Sequence, residues 1–284
     1  MDSYCRNFFN TYNAAVNSAY DSYTKALEGK PEETEGSPKE IKQYVTGEYN
    51  NWLSSCFEEL GCKTPVEFLK TIGSIEILIE MFRYGAVVCD DELPEVFIDK
   101  LKEYKDQAIK ILLGIALEPA GDESDEGLLV PIMAIRLLGR WRVERAVEPL
   151  ISIIDTDTLL FDLIYETVKE ALVNIGIPAI DAVCSVLDTG HIPQNSAEYL
   201  IMALADIGRD SKCDRVYLQL KKAFLQMPQK IVAANCLANY GDGRAIPALR
   251  GFLERKGKTL DKDTYYEIVS VIERLGGFTD DLRM

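Results

Sequence analysis

The chain has 284 residues, 47% hydrophobic side chains and a formal net charge of −15 at pH 7. So acidic a chain disfavours nucleic acids and anionic membrane surfaces, because both attract lysine and arginine. Its apolar stretches are shorter than the roughly 20 residues of a membrane-spanning helix, and it opens without a charged-then-apolar leader. We therefore expect a cytoplasmic protein that binds neither nucleic acid nor membrane.

The first helices are predicted by spacing and by capping signals. Apolar residues recur every three or four positions from residue 2 to residue 28, which predicts one long helix. Residues 29–36 are rich in Pro, Glu and Gly and predict a loop. Ser37 and Thr64 are each followed by proline and, three residues on, by glutamate. This capping box predicts helix starts at residues 38 and 65.

Further helices are expected near residues 75–84 and 94–117. Ile77 and Met81 precede Gly85 at the spacing of a repeat unit, so this segment is interpreted as a possible degenerate repeat. We assign residues 1–117 to a helical N-terminal region and the acidic stretch 118–127 to a linker.

Residues 128–284 carry the clearest pattern, a glycine that recurs at intervals of 37, 32, 33 and 35 residues. The positions one, four, five and eight residues before each glycine are apolar in nineteen of twenty cases. These offsets lie on one helical face. The period is typical of stacked helix pairs, in which the glycine ends the first helix of each pair. The glycines are Gly139, Gly176, Gly208, Gly241 and Gly276.

Each glycine is followed by a short connector and a second apolar helix. Pro149, Pro178 and Pro247 stand near the start of three of these second helices, where proline costs little. Residues 241–249, Gly-Asp-Gly-Arg-Ala-Ile-Pro-Ala-Leu, resemble the turn and second helix of HEAT-like repeats of the phycobilisome-lyase type. Residues 139–150 are similar with a longer turn, and residues 176–180 are a shortened version. Residues 208–220 depart from the pattern because they lack the proline.

The resemblance covers about residues 128–284 and implies an all-α fold. It implies an α-solenoid, a right-handed superhelix of HEAT-like helical pairs, preceded by the helical N-terminal region as a cap. Such repeats occur in lyases, adaptors and regulators alike, so the fold alone does not assign a function.

Residues suited to catalysis are few. The single histidine, His191, is expected in an exposed turn. Seven scattered cysteines predict reduced, buried thiols rather than a disulfide framework. We find neither a zinc-ligand spacing nor a phosphate-binding glycine loop. We therefore expect no enzyme activity, no cofactor and no metal.

Two clusters are candidate binding residues. Trp and Arg are enriched in binding hot spots, and one turn combines them: Arg140, Trp141, Arg142 and Arg145. The resemblance implies that the second helices line the concave face, which would make a mildly basic groove of Arg215, Lys221, Lys222, Arg244, Arg250, Arg255 and Lys256. The alternatives are a tryptophan packed on the neighbouring unit and a solvated face of mixed charge.

The function favoured by the sequence is a non-catalytic scaffold or adaptor that binds a protein partner. One alternative is a chromophore lyase or lyase subunit of the phycobilisome-lyase type. The other is a nucleic-acid-binding HEAT-like protein, similar to the HEAT-like alkylpurine glycosylases, which need a basic concave surface.

Overall fold

A computed structural model describes residues 2–27, 38–89, 92–119, 125–155 and 162–282. Within these residues the regular structure is helical, and the only β-type pairing is an isolated bridge between Phe57 and Lys63. The all-α prediction is therefore confirmed for the described part of the chain. The helices are α1 (Ser3–Leu27), α2 (Pro38–Ser54), α3 (Pro65–Thr71), α4 (Ile75–Val88), α5 (Glu95–Lys102), α6 (Lys105–Ala116), α7 (Asp125–Arg140), α8 (Val147–Ile154), α9 (Asp162–Ile175), α10 (Ala179–Thr189), α11 (Gln194–Asp210), α12 (Asp214–Gln226), α13 (Lys230–Tyr240), α14 (Ile246–Lys256) and α15 (Lys262–Arg274).

The chain forms two compact units. The first contains residues 1–111 and 118–133, and the second contains residues 112–117 and 134–284. Of the predicted linker, residues 120–124 lie outside the described residues, and α7 begins at Asp125. The predicted loop at 29–36 and the predicted cap Ser37 also lie outside them.

Aromatic side chains of α1 form the centre of the first unit. Phe8 and Phe9 are fully buried. The ring of Phe8 lies 5.4 Å from that of Trp52 on α2, and the ring of Phe9 lies 5.3 Å from that of Phe97 on α5. The indole N–H of Trp52 donates to Thr11 Oγ1 at 3.1 Å, so this buried ring has a partner for its polar atom.

The predicted helix starts are confirmed where they are described. α2 begins at Pro38. At Thr64 the side chain accepts a hydrogen bond from the Glu67 N–H, and the Glu67 carboxylate accepts one from the Thr64 N–H, so the capping box is complete. These bonds hold the pKa of Glu67 below its usual value.

Gly85 does not end a helix, because α4 continues to Val88. A Cβ at Gly85 would come within 2.6 Å of the Phe9 ring, so close packing against α1 excludes a side chain there. Ile77 is 41% exposed whereas Met81 is buried, and the interpretation of this segment as a repeat is not supported. The predicted helix at 94–117 is divided into α5 and α6 by a break at residues 103–104, and Lys105, the first residue of α6, has a left-handed φ of 46°.

The helices that carry the repeated glycine are called the first helices (α7, α9, α11, α13, α15); of α7, residues 134–140 belong to the second unit. The others are called the second helices (α8, α10, α12, α14). Helices α9, α11, α13 and α15 pack one on the next, and α10 packs on both α8 and α12. Of the twenty stripe positions, nineteen are buried and Leu275 is half-buried. The stripe is therefore confirmed as the core, and Leu137, which is not a stripe position, is buried as well.

The glycines have two different roles. Gly176, Gly241 and Gly276 have φ values of 83°, 73° and 83° and end their helices in the left-handed conformation, as predicted. The prediction is wrong for Gly139 and Gly208, which lie inside α7 and α11. A Cβ at Gly139 would come 2.6 Å from the Ala171 Cα, and one at Gly208 would come 2.7 Å from the Tyr240 ring. These two glycines permit close contact between first helices.

Hydroxyl groups connect elements that are distant in the sequence. Ser196 donates to the Ile154 carbonyl. Tyr217 donates to the Arg244 carbonyl at 2.8 Å, and Tyr240 donates to the Cys213 carbonyl at 2.9 Å. The two tyrosine bonds each join a helix to the turn of a neighbouring pair.

Leu204 and Leu237 provide a test of the core, because both side chains are fully buried at the same stripe position. We expect Leu204→Ala or Leu237→Ala to lower the free energy of unfolding by about 2–5 kcal/mol, through lost apolar burial and the cavity that remains. Urea denaturation measures the change. The control is Leu218→Ala at a side chain that is 59% exposed, which should cost far less. Equal effects of the three substitutions would contradict the assigned core.

Gly139 and Gly251 provide a matched pair inside helices of the second unit. We expect Gly139→Ala to lower the free energy of unfolding by about 1–3 kcal/mol through overpacking. The atom in the way is the backbone Cα of Ala171, which cannot move aside as a flexible side chain can. At Gly251 the nearest atom is Nη1 of the flexible Arg255 side chain, at 3.1 Å. We expect Gly251→Ala to raise the free energy of unfolding by about 0.5–1 kcal/mol, because alanine favours the helix more than glycine does. Opposite signs in thermal denaturation are expected, and a stabilising Gly139→Ala would exclude the close contact.

Candidate functional site

Most of the basic residues predicted on the second helices are paired with carboxylates. Arg215 on α12 contacts Asp181 on α10, and Lys222 Nζ lies 3.0 Å from Asp188 Oδ1. The Lys222 ammonium and the Gln219 amide hold the pKa of Asp188 below its usual range. Because each pair joins α12 to the second helix before it, these charges connect neighbouring pairs and are locally neutralised.

The basic residues nearer the end of the chain, Arg244 and Arg250, are also paired with carboxylates. Arg244 lies 2.7 Å from Asp214 and 2.8 Å from Asp242, and its guanidinium carbon is 4.3 Å from the centre of the Tyr217 ring. Arg250 donates to the Phe278 carbonyl and to the Asp281 carboxylate. These contacts agree with a face of mixed charge.

Lys221 differs from these residues. It is half-buried and makes no ion pair with any residue that the structure describes. The exposed side chains Leu218 and Leu225 lie on the same helix. Arg255 and Lys256 on α14 are exposed.

The predicted Trp141 turn is well ordered by backbone hydrogen bonds. The Arg142 N–H donates to the Gly139 carbonyl at 2.9 Å and the Val143 N–H donates to the Leu138 carbonyl at 3.1 Å. Arg142 takes the left-handed conformation, with a φ of 52°, that was expected of Gly139. Trp141 is half-buried, and the side chains of Arg140, Arg142 and Arg145 are exposed. This turn precedes α8, whereas the second cluster lies on α12, on α14 and in the turn between α13 and α14.

A groove that the sequence did not predict lies on the first helices. It has a volume of about 540 Å³ and is formed by α11, α13 and the end of α15. Its apolar lining consists of Met202, Ala205, Ile231, Val232, Cys236 and Ala238, and its polar lining consists of Asp206, Asn235, Asn239 and Arg274.

The polar side chains of this groove are joined by hydrogen bonds between helices. Asn239 on α13 donates to Asp206 on α11. Asn235 on α13 donates to Glu267 on α15 at 3.0 Å and accepts from Arg274. Asp206 and Glu267 are half-buried, and neither forms an ion pair within the described part of the chain. Two partly buried carboxylates are thus bound by neutral amides.

A signal for these residues is present in the sequence. The position two residues before each repeated glycine is polar in four of five units, namely Asn174, Asp206, Asn239 and Arg274 but not Leu137. This position borders the buried stripe on the same helix. Which residues meet across neighbouring helices depends on packing, so the groove itself is visible only in the structure.

The structure shows the burial of the seven cysteines and of the histidine. All seven cysteines are free. Cys5, Cys89, Cys184 and Cys236 are buried as predicted, whereas Cys56 and Cys62 are exposed and Cys213 is half-buried. Burial raises the pKa of Cys184 to about 11 and that of Cys236 to about 12. His191 is exposed, as predicted. The described residues contain no group of three or more His, Cys, Asp or Glu side chains that could hold a metal ion.

Thiol alkylation tests this distribution. At pH 8 a thiol with a pKa of about 11 is roughly one-thousandth thiolate, the reactive form. We expect iodoacetamide to modify Cys56 and Cys62 in the native chain and to spare Cys184 and Cys236, with all four modified in urea. Peptide mass spectrometry measures the modification of each site. Rapid native alkylation of Cys236 would mean that the floor of the groove is open to solvent.

Comparison with known proteins assigns no family. No family model matches this chain, and no curated protein matches it. The resemblance to HEAT-like repeats therefore stays a prediction.

Among the described helices, none is by itself long and apolar enough to cross a membrane. The segments Asp162–Ile175 and Ile177–Thr189 pass that test only when joined across a bend of 116°.

Proposed function

We propose that this protein is a non-catalytic scaffold that holds a protein partner against its second unit. We further propose that this unit is an α-solenoid, a right-handed superhelix of HEAT-like helical pairs. The observation that carries the proposal is the packing of α9, α11, α13 and α15, each on the next, with an open groove on three of these helices. Stacked pairs of this kind expose an extended surface that suits macromolecular binding.

The chemistry of the side chains also supports binding rather than catalysis. Thiols with raised pKa values are poor nucleophiles, and Cys184 and Cys236 are of this kind. A net charge of −15 disfavours nucleic acid and anionic membranes and favours a protein partner. A cytoplasmic location is part of the same proposal.

We propose the groove on the first helices as the contact surface. The basic residues expected to bind from the second helices are largely neutralised by Asp181, Asp188, Asp214 and Asp281. They stay the alternative surface, together with Lys221 and the exposed Leu218.

Site-specific photo-crosslinking separates the two surfaces. A photoreactive benzoyl-phenylalanine replaces Ile231 in the groove, Leu218 on α12 or Tyr44 in the first unit, all partly exposed positions. In native cell extract we expect a protein adduct at position 231 that excess unlabelled chain abolishes, and no such adduct at position 44. A competed adduct only at position 218 would keep the scaffold and move the contact to the second helices. Competed adducts at neither 218 nor 231 would overturn the proposed function.

A further inference from the structure

The groove on α11, α13 and α15 has features that match one class of ligand. Resting on the proposed scaffold function, we propose that it binds an extended peptide segment of the partner that carries a lysine or arginine beside apolar residues. Three properties of the groove support this: its charge, the spacing of its amides and its apolar floor.

The carboxylate of Asp206 favours a cation at one point of the groove. Asp206 lines the groove, and Glu267 on α15 lies beside it, bonded to the lining residue Asn235. Both carboxylates are half-buried and accept hydrogen bonds from neutral amides, those of Asn239 and Asn235. Arg274 is the one basic side chain that lines the groove among the described residues, and its guanidinium donates to Asn235 rather than to a carboxylate. The lining thus holds one carboxylate and one guanidinium, and Glu267 adds a second carboxylate beside it. A basic side chain placed at Asp206 would form an ion pair that the free chain lacks.

The amides match the repeat of an extended chain. Asn235 and Asn239 stand four residues apart on α13, which is about 6 Å along the helix axis. Two residues of an extended peptide span about 6.6 Å. Each amide has two N–H donors and an oxygen with two lone pairs, so each keeps capacity beyond its present bonds. The pair can bind alternate residues of a peptide backbone that runs along α13.

The apolar floor of the groove and its length set the size of the peptide segment that fits. Met202, Ala205 and Val232 provide apolar contacts between the polar groups. From Ile231 to Asn239 the helix is about 12 Å long, which corresponds to roughly four residues of extended chain. The ligand class is thus a short extended segment with alternating basic and apolar side chains.

A random octapeptide library displayed on phage is the first probe. Selection on the full chain should enrich lysine or arginine next to apolar residues. Selection of acidic peptides, or of none, would overturn the inference.

A fluorescent synthetic peptide of the selected consensus is the second probe, used in anisotropy titrations. Asp206→Asn keeps the shape of the side chain and should weaken binding about tenfold, as loss of one hydrogen bond to a charged group would. Asn239→Ala should act similarly. The matched control is Asp210→Asn, which removes the same charge from the same helix at a position that does not line the groove and should leave binding unchanged.

Each outcome is decisive. Equal weakening by Asp206→Asn and Asp210→Asn would mean attraction by the general acidity of the chain and would overturn the groove. Binding that survives Asp206→Asn but is lost in Lys221→Glu would also overturn the groove as the binding site, while leaving the scaffold proposal intact.

The scaffold proposal fails only by the photo-crosslinking result, so the two failures are distinguishable. Circular dichroism of Asp206→Asn confirms that the fold is retained.

Discussion

The second unit depends on close contact between first helices. At Gly139 the backbone of α7 lies against the backbone of Ala171, and no side chain separates them. Ala171 stands five residues before the repeated glycine of its helix. The same position in the next two first helices is also small, at Ala203 and Cys236. Small side chains bring helix axes together, so that leucine and isoleucine at the adjoining position fill the space on either side. The same packing of the first helices produces both the buried core and the exposed groove.

The core could be predicted from the sequence because it depends on local periodicity. Each of the positions at offsets of one, four, five and eight residues belongs to one helix, and the helical repeat alone places them on one face. The Thr64 cap was equally local, since donor and acceptor are three residues apart. Glycine was harder to interpret. A glycine that ends a helix and one that admits a neighbouring helix look alike in sequence, and only the identity of the opposing atom separates Gly208 from Gly241.

The candidate site was predictable only in part, because it is defined by contacts between helices that are distant in the sequence. The basic residues predicted on the second helices lie on α12 and α14, except Arg244, which lies in the turn before α14. The partners of Arg215 and Lys222, Asp181 and Asp188, lie more than thirty residues away. Composition does not reveal such pairing. In the same way Asp206 and Asn239 are 33 residues apart and are joined only when α11 and α13 are stacked. A charge counted in a sequence becomes a charged surface only if no neighbour neutralises it.

The hydroxyl bonds of Tyr217 and Tyr240 have a consequence for recognition. Both hydroxyl groups donate to main-chain carbonyls 27 residues away, so they fix the backbone of one pair to that of another. Sliding of α12 or α13 relative to these turns would break a largely shielded hydrogen bond. The Tyr240 bond therefore holds α13, which lines the groove, against the turn that follows α11. A surface whose helices are fixed before binding would lose little conformational entropy on association, so most of the entropic cost would fall on the ligand.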